Sequence, residues 1–171
     1  MVFRTAKEMT ADDFTSHLVL LGGVDWNPVT AEVMRQFDLP VRQTTREDES
    51  VAGGFVVGTG ADERRLTPKL RTVDKREVLV EDVAHFFRAR SPFNDKRTVT
   101  VCNGQYARGV YGVVRALTDK RFRDRNEAYL RERFGSEKPF SIVSRVKVVF
   151  GETVTPDWSG GEDVLHEWQA A

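Results

Sequence analysis

Apolar residues along this chain follow different rhythms, and each rhythm predicts a different element. "HLVLLGG" (17–23) is a continuous apolar run of strand length ending in two glycines. Such runs suit a strand covered on both faces. In "VDWNPVTAEVMRQF" the spacing turns helical. Val29, Val33, Met34 and Phe37 share one face, Asn27-Pro28 reads as cap and first helical residue, and Leu39-Pro40 ends the run. "TVTVCNGQYARGVYGVVRALTD" (98–119) repeats the order of strand, glycine turn and helix, with Val110, Val113, Val114 and Leu117 at i, i+3, i+4 and i+7. A further helix is predicted over 119–134, with Phe122, Asn126, Tyr129, Leu130 and Phe134 along one side. "FSIVSRVKVVF" (140–150) reads as a long strand.

Between 41 and 90 no helical period lasts. Short apolar pieces, some of them separated by Gly53-Gly54, Gly58, Gly60 and Pro68, predict a β-rich insert of hairpins that rejoins the main sheet near "EVLVEDVAHFFRA". Residues 1–16 are a polar lead-in, and 151–171 a loop with a short edge strand around "VLHEW". The pattern as a whole predicts one domain, 1–171, of the α/β class. It is a three-layer, Rossmann-like fold with a mostly parallel sheet and a β-rich hairpin insert.

Gly109 and Gly112 fall inside the predicted helix, where each costs about 1 kcal/mol relative to alanine. With Ala116 they make a narrow strip that admits a backbone or a ligand at close range. In a parallel sheet, the turns after 17–23 and 98–102 open on one crevice at the carboxyl ends of the strands. There Asn103, Gly104 and Arg108 would hold a phosphate against the free N–H groups of the helix. Gly22, Gly23 and Asn27 would line the facing wall. Asp25, Glu81 and Asp82 are the carboxylates able to activate water if the site is catalytic. A plainer reading stands beside this one: the glycines turn the chain and pack on a strand, and Asn27 only caps a helix.

Composition narrows the classes. The 26 basic and 26 acidic residues cancel, so no net field draws the chain to nucleic acid or to a membrane surface. In "RFRDRNEAYLRERF" the acidic residues interleave with the arginines, a salt-bridged solvent face that makes nucleic acid an unexpected partner. Three histidines without metal-ligand spacing and a single cysteine, Cys102, predict no metal site. Cys102 reads as a small buried hydrophobe, and its solitude fits a reducing cytosol. No apolar run reaches membrane-spanning length and the first residues lack the core of a signal peptide, so a cytoplasmic location is expected.

Taken together, "LVLLGGVDWNPVT", "EDVAHFFRARSPFN", "TVTVCNGQYARGVYGVVRALTD", "RFRDRNEAYL" and "TPDW" resemble an uncharacterised domain of bacteria, especially actinobacteria. That domain occurs as a module attached to others in signalling or defence-type proteins, and the resemblance covers roughly 17–168. More distantly, the glycine-ended strands resemble SLOG-type Rossmann-like domains, which sense or cleave nucleotides and NAD-like ligands. The Gly-Gly-x-Gly-Thr loop of the phosphoribohydrolase members is replaced here by "CNGQYARG", which counts against glycosidic cleavage and leaves nucleotide binding open. Two functions follow as expectations. The first is binding of a nucleotide-derived or NAD-like, phosphate-bearing ligand, as a sensor or slow hydrolase. The second is a non-catalytic module that forms homo-oligomers or docks a partner.

Overall fold

One strand organises the molecule. In the computed structural model, which describes residues 2–44, 53–135 and 138–171, strand β6 (Arg76–Ser91) runs through the centre of a seven-stranded sheet. Its second half pairs with β7 (Asn94–Gly104) on one side and with β8 (Phe140–Val149) on the other, both antiparallel. Beyond β7 lies β1 (Leu18–Leu21), paired in parallel from Leu18↔Val99 to Leu21↔Cys102. On the first half of β6 lies β5 (Lys69–Val73), joined to it by a tight turn in which Asp74 and Lys75 both take positive φ. The two-residue β9 (Glu152–Thr153) and β10 (Val164–Gln169) both pair with β8.

The sheet is therefore mostly antiparallel, which corrects the mostly parallel Rossmann-like expectation. Strand makes up 41% of the chain and helix 22%, too little helix for a crossover after every strand. The physical reason is the turn at Pro92-Phe93. It joins β6 to β7 as a tight hairpin, and a parallel pair cannot be connected so briefly. The apolar runs of β6, β7 and β8 reflect burial on both faces, a property that a covered antiparallel strand shares with a parallel one. One crossover remains: α2 (Ala107–Thr118) and α3 (Arg123–Arg133) carry the chain from β7 to β8, and β6 sits between those strands.

The two faces are covered differently. Helices α2 and α3 bury Ala84, Phe86, Cys102, Ile142 and Val146 on one face, with Trp158 against Phe86 at 5.4 Å. Asn126 secures this layer: its amide donates to the carbonyls of Ala116 and Pro156, and its oxygen accepts from the N–H of Trp158. On the other face α1 (Pro28–Met34) covers Leu18, Leu20, Phe87, Val99 and Val101. Beside it lies a separate three-stranded antiparallel sheet of β2 (Val41–Thr44), β3 (Gly54–Val57) and β4 (Arg64–Leu66). Val41, Phe55 and Val57 of this small sheet pack on Val83 and Val143.

The helix glycines are explained by the first of these layers. A Cβ on Gly112 would stand 2.6 Å from Cγ1 of Val146, and one on Gly109 would stand 2.6 Å from a carboxylate oxygen of Asp82. Helix α2 lies on the sheet at backbone distance. Gly112→Val should accordingly cost about 1–3 kcal/mol of stability through overpacking, measured by urea denaturation. An unchanged midpoint would show that the helix can lift off β8 without loss.

Candidate functional site

The carboxyl ends of β1 and β7 lie side by side, with the middle of β6 running past them: Ala84 pairs with Gly104 and His85 with Asn103. Most of the side chains singled out in the sequence gather near this edge, but they divide between the two faces of the sheet.

On the α2 face, the expected phosphate position is filled by the chain itself. Asp82 is fully buried, and its carboxylate accepts the N–H groups of Tyr106 at 3.0 Å and Gly109 at 2.6 Å, together with its own neighbour Val83 at 2.8 Å. A carboxylate from β6 thus supplies the negative charge that the N-terminus of α2 favours. Gly104 packs under this turn, where a Cβ would stand 2.5 Å from the N–H nitrogen of Val110. Glu81 is engaged by Lys69 at 3.0 Å and Arg145 at 3.1 Å. Neither carboxylate is left to activate water. Arg108 is half-buried in the first turn of α2, and Asp25 is exposed in the turn before α1.

Asn27 works as a cap. Its oxygen accepts from the N–H groups of Val29 and Thr30, and its amide donates to the carbonyl of Leu21. Gly22 takes φ +101° and donates its N–H to the carbonyl of Cys102, which fastens the β1 turn to β7. Burial pushes the Cys102 thiol up to about 12, so it stays protonated and behaves as a small apolar side chain.

The other face holds a cleft of about 490 Å³ between α1 and the small sheet. Met34 and Phe37 form one wall, Val41 and Phe55 the other, with Arg35, Asp38 and Arg42 at the exposed mouth. Gln43, His85 and Asn103 lie at its base. Their side chains belong to an amide network. Oε1 of Gln43 accepts from Nδ2 of Asn103 at 2.8 Å and from the N–H of Val24 at 3.0 Å; Nε2 of Gln43 donates to Oε1 of Gln105 at 3.4 Å. Gln105 in turn donates to the carbonyl of Gly54 at 2.9 Å. Gly23 makes room for the network, since a Cβ there would stand 2.5 Å from oxygens of both Asn103 and Gln43.

Two polar atoms at this base are buried without a hydrogen-bond partner among the described residues: Oδ1 of Asn103 and Nε2 of His85. Each residue is 2% exposed. Buried polar atoms are rarely left unpaired, because each costs about 1–3 kcal/mol, and those that remain ask for an explanation. Of the residues expected to bind, Gly23 and Asn103 reach this network, whereas Gly104 and Arg108 lie under or on α2. Gln43, Gln105 and His85 were missed. The available signal was His85 itself, a polar residue at an inward position of "VAHFF".

Among the described residues, no group of three or more histidine, cysteine or acidic side chains is placed to hold a metal ion, and no helix is long and apolar enough to cross a membrane. Comparisons of the chain with protein-family models, with curated proteins and with solved structures give no match.

Burial pushes the imidazole of His85 down to about 3, with His166 adding to the shift, so it is neutral at pH 7. The folded value lies below the ordinary 6.5 of the unfolded chain. Between these values the unfolded state binds a proton that the folded state refuses, so stability is full above 6.5 and falls as pH falls towards 3. One such proton changes stability by up to about 1.4 kcal/mol per pH unit. Urea denaturation between pH 7 and pH 5 should therefore show a shallower pH dependence for His85→Gln than for the wild type. Equal slopes would mean that His85 takes up its proton in the folded protein as readily as in the unfolded chain.

Proposed function

We propose that this protein binds a small nucleotide-derived ligand in the cleft between α1 and the small sheet, as a sensor rather than a hydrolase. The observation that carries the reading is the pair of atoms on Asn103 and His85, unpartnered among the described residues, at the base of a cleft with apolar walls. A volume of about 490 Å³ lies within the range of small-molecule sites, which are mostly apolar with a few polar groups that fix orientation. The walls of Met34, Phe37, Val41 and Phe55 suit a flat ring. At the mouth, Arg35 and Arg42 are held, among the described residues, by exposed ion pairs with Glu32 and Glu63. Exposed pairs are worth little, so both arginines are free to turn to a phosphate. The sensor reading is preferred because Glu81 and Asp82 are consumed elsewhere, and among the described residues the one acidic side chain lining the cleft, Asp38, is exposed. A module of bacterial signalling or defence proteins, as the sequence resemblance implies, would use such a site to report a nucleotide.

The second reading, a homo-oligomerisation module, is favoured by β1. It ends the order of the main sheet, and Val19 and Leu21 stand 57% and 50% exposed on the face away from α1. A strand edge left unpaired among the described residues, as here, invites strand addition.

Thermal denaturation with millimolar nucleotides and NAD tests the first reading. A ligand at a hundred times its dissociation constant adds about 2.7 kcal/mol of stability, a shift that is easily read. Asn103→Ala should remove the shift, while Arg108→Ala, on the other face, should keep it. The reading is overturned if no nucleotide or NAD moves the midpoint. A concentration-dependent dimer in native mass spectrometry, lost in Leu21→Asp, would then support the second.

A further inference from the structure

The base of the cleft is occupied by a carboxamide, and the carboxamide belongs to the protein. Gln43 reaches down from β2, its carbonyl oxygen taking two donors, Nδ2 of Asn103 and the N–H of Val24. Its amino group faces one acceptor, Oε1 of Gln105, at a long 3.4 Å. Asn103 keeps a spare acceptor, Oδ1, and the neutral His85, which also lines the cleft, has an unpaired Nε2, both unsatisfied among the described residues. The seat thus offers two donors to a carbonyl and acceptors to an adjacent N–H, and Gln43 fills it incompletely.

Resting on the cleft being a ligand site, we propose that this seat recognises an O=C–N–H edge, and that Gln43 is a resident substitute which the ligand displaces. The chemistry is shared by a primary carboxamide, as in nicotinamide, and by the lactam edge of uracil, guanine or hypoxanthine. An arriving edge takes over the donors of Asn103 and Val24 and gives its N–H to Oδ1 of Asn103 or Oε1 of Gln105. The side chain of Gln43 swings out of the seat while β2 stays paired with β3. Gly23 serves both occupants, because any side chain there would collide with Gln43 and Asn103 alike. Selectivity follows from the cost of burying polar groups without partners: a ligand lacking this edge leaves the seat unpaired.

Matched pairs of ligands test this on the wild-type protein by isothermal titration calorimetry. Inosine monophosphate against adenosine monophosphate and uridine monophosphate against cytidine monophosphate probe the lactam. Nicotinamide mononucleotide against nicotinic acid mononucleotide probes the carboxamide. The member with the O=C–N–H edge should bind about tenfold or more tightly in at least one pair, the worth of one or two well-made buried hydrogen bonds. Gln43→Ala should tighten that ligand further, because the internal competitor is gone, and Asn103→Ala should abolish its binding. If both members of every pair bind alike, or if a folded Gln43→Ala binds more weakly, the displacement idea is wrong while the cleft remains a ligand site. If no mononucleotide binds the wild type or Gln43→Ala, both proposals fall together.

Discussion

The carboxylate of Asp82 is the interaction on which the architecture turns. It leaves β6 on the α2 face, is fully buried, and gathers N–H groups from Val83, Tyr106 and Gly109. A buried carboxylate is costly unless it is amply hydrogen-bonded, and here the donors are those a helix start leaves unsatisfied. One group therefore settles two debts of the fold. It fixes where α2 begins relative to the sheet, and so fixes the helix pair that carries the chain over β6 to β8. The same bond explains why Gly109 and Gly104 are glycines, since any Cβ would push the helix away from its cap.

With one face closed in this way, the opposite face carries the open chemistry. Helix α1 and the small sheet meet over the main sheet without sharing its strand pairing, and the gap between them is bridged by amides rather than filled by apolar side chains. Where apolar packing is complete, as around Val33, Phe87 and Val101, the layers are fixed; where Gln43, Asn103 and Gln105 meet, they are joined by groups able to exchange partners. A rigid platform with an exchangeable polar seam is what a binding site on this scaffold requires.

Much of the element pattern was legible in the residues. The helical spacing of 110–117 lies in α2, and the Asn27-Pro28 pair opens α1 with Asn27 as its cap. The sheet topology was not legible. Continuous apolar runs report burial on two faces, and direction is decided by connections, which the short turn at Pro92-Phe93 sets against a parallel arrangement. The site residues divided for a similar reason. Asn103 and Gly104 are neighbours in sequence, but the Asn103 side chain joins the amide network on one face of β7 while Gly104 packs under α2 on the other. That Asp82 would fill the helix start was hidden because it pairs with residues more than twenty positions away. Gln43 and Gln105 meet across a still longer stretch of chain, and neither stands in a recognisable motif.

The parallel pairing of β1 with β7 places Leu18 against Val99, the longest sequence reach of any strand pair in the main sheet, whereas the β6–β7 hairpin is local. The entropy lost in closing a loop grows only logarithmically with its length, yet contacts so distant in sequence slow folding. The turn that supplies Gly23 and the N–H of Val24 hangs on this pairing. The cleft draws its walls from Val24 to Gln43 and from Phe55, and its base from His85 and Asn103, so no short fragment of the chain contains it. It takes shape only once β1 and the turn after it have found β7, far along the sequence.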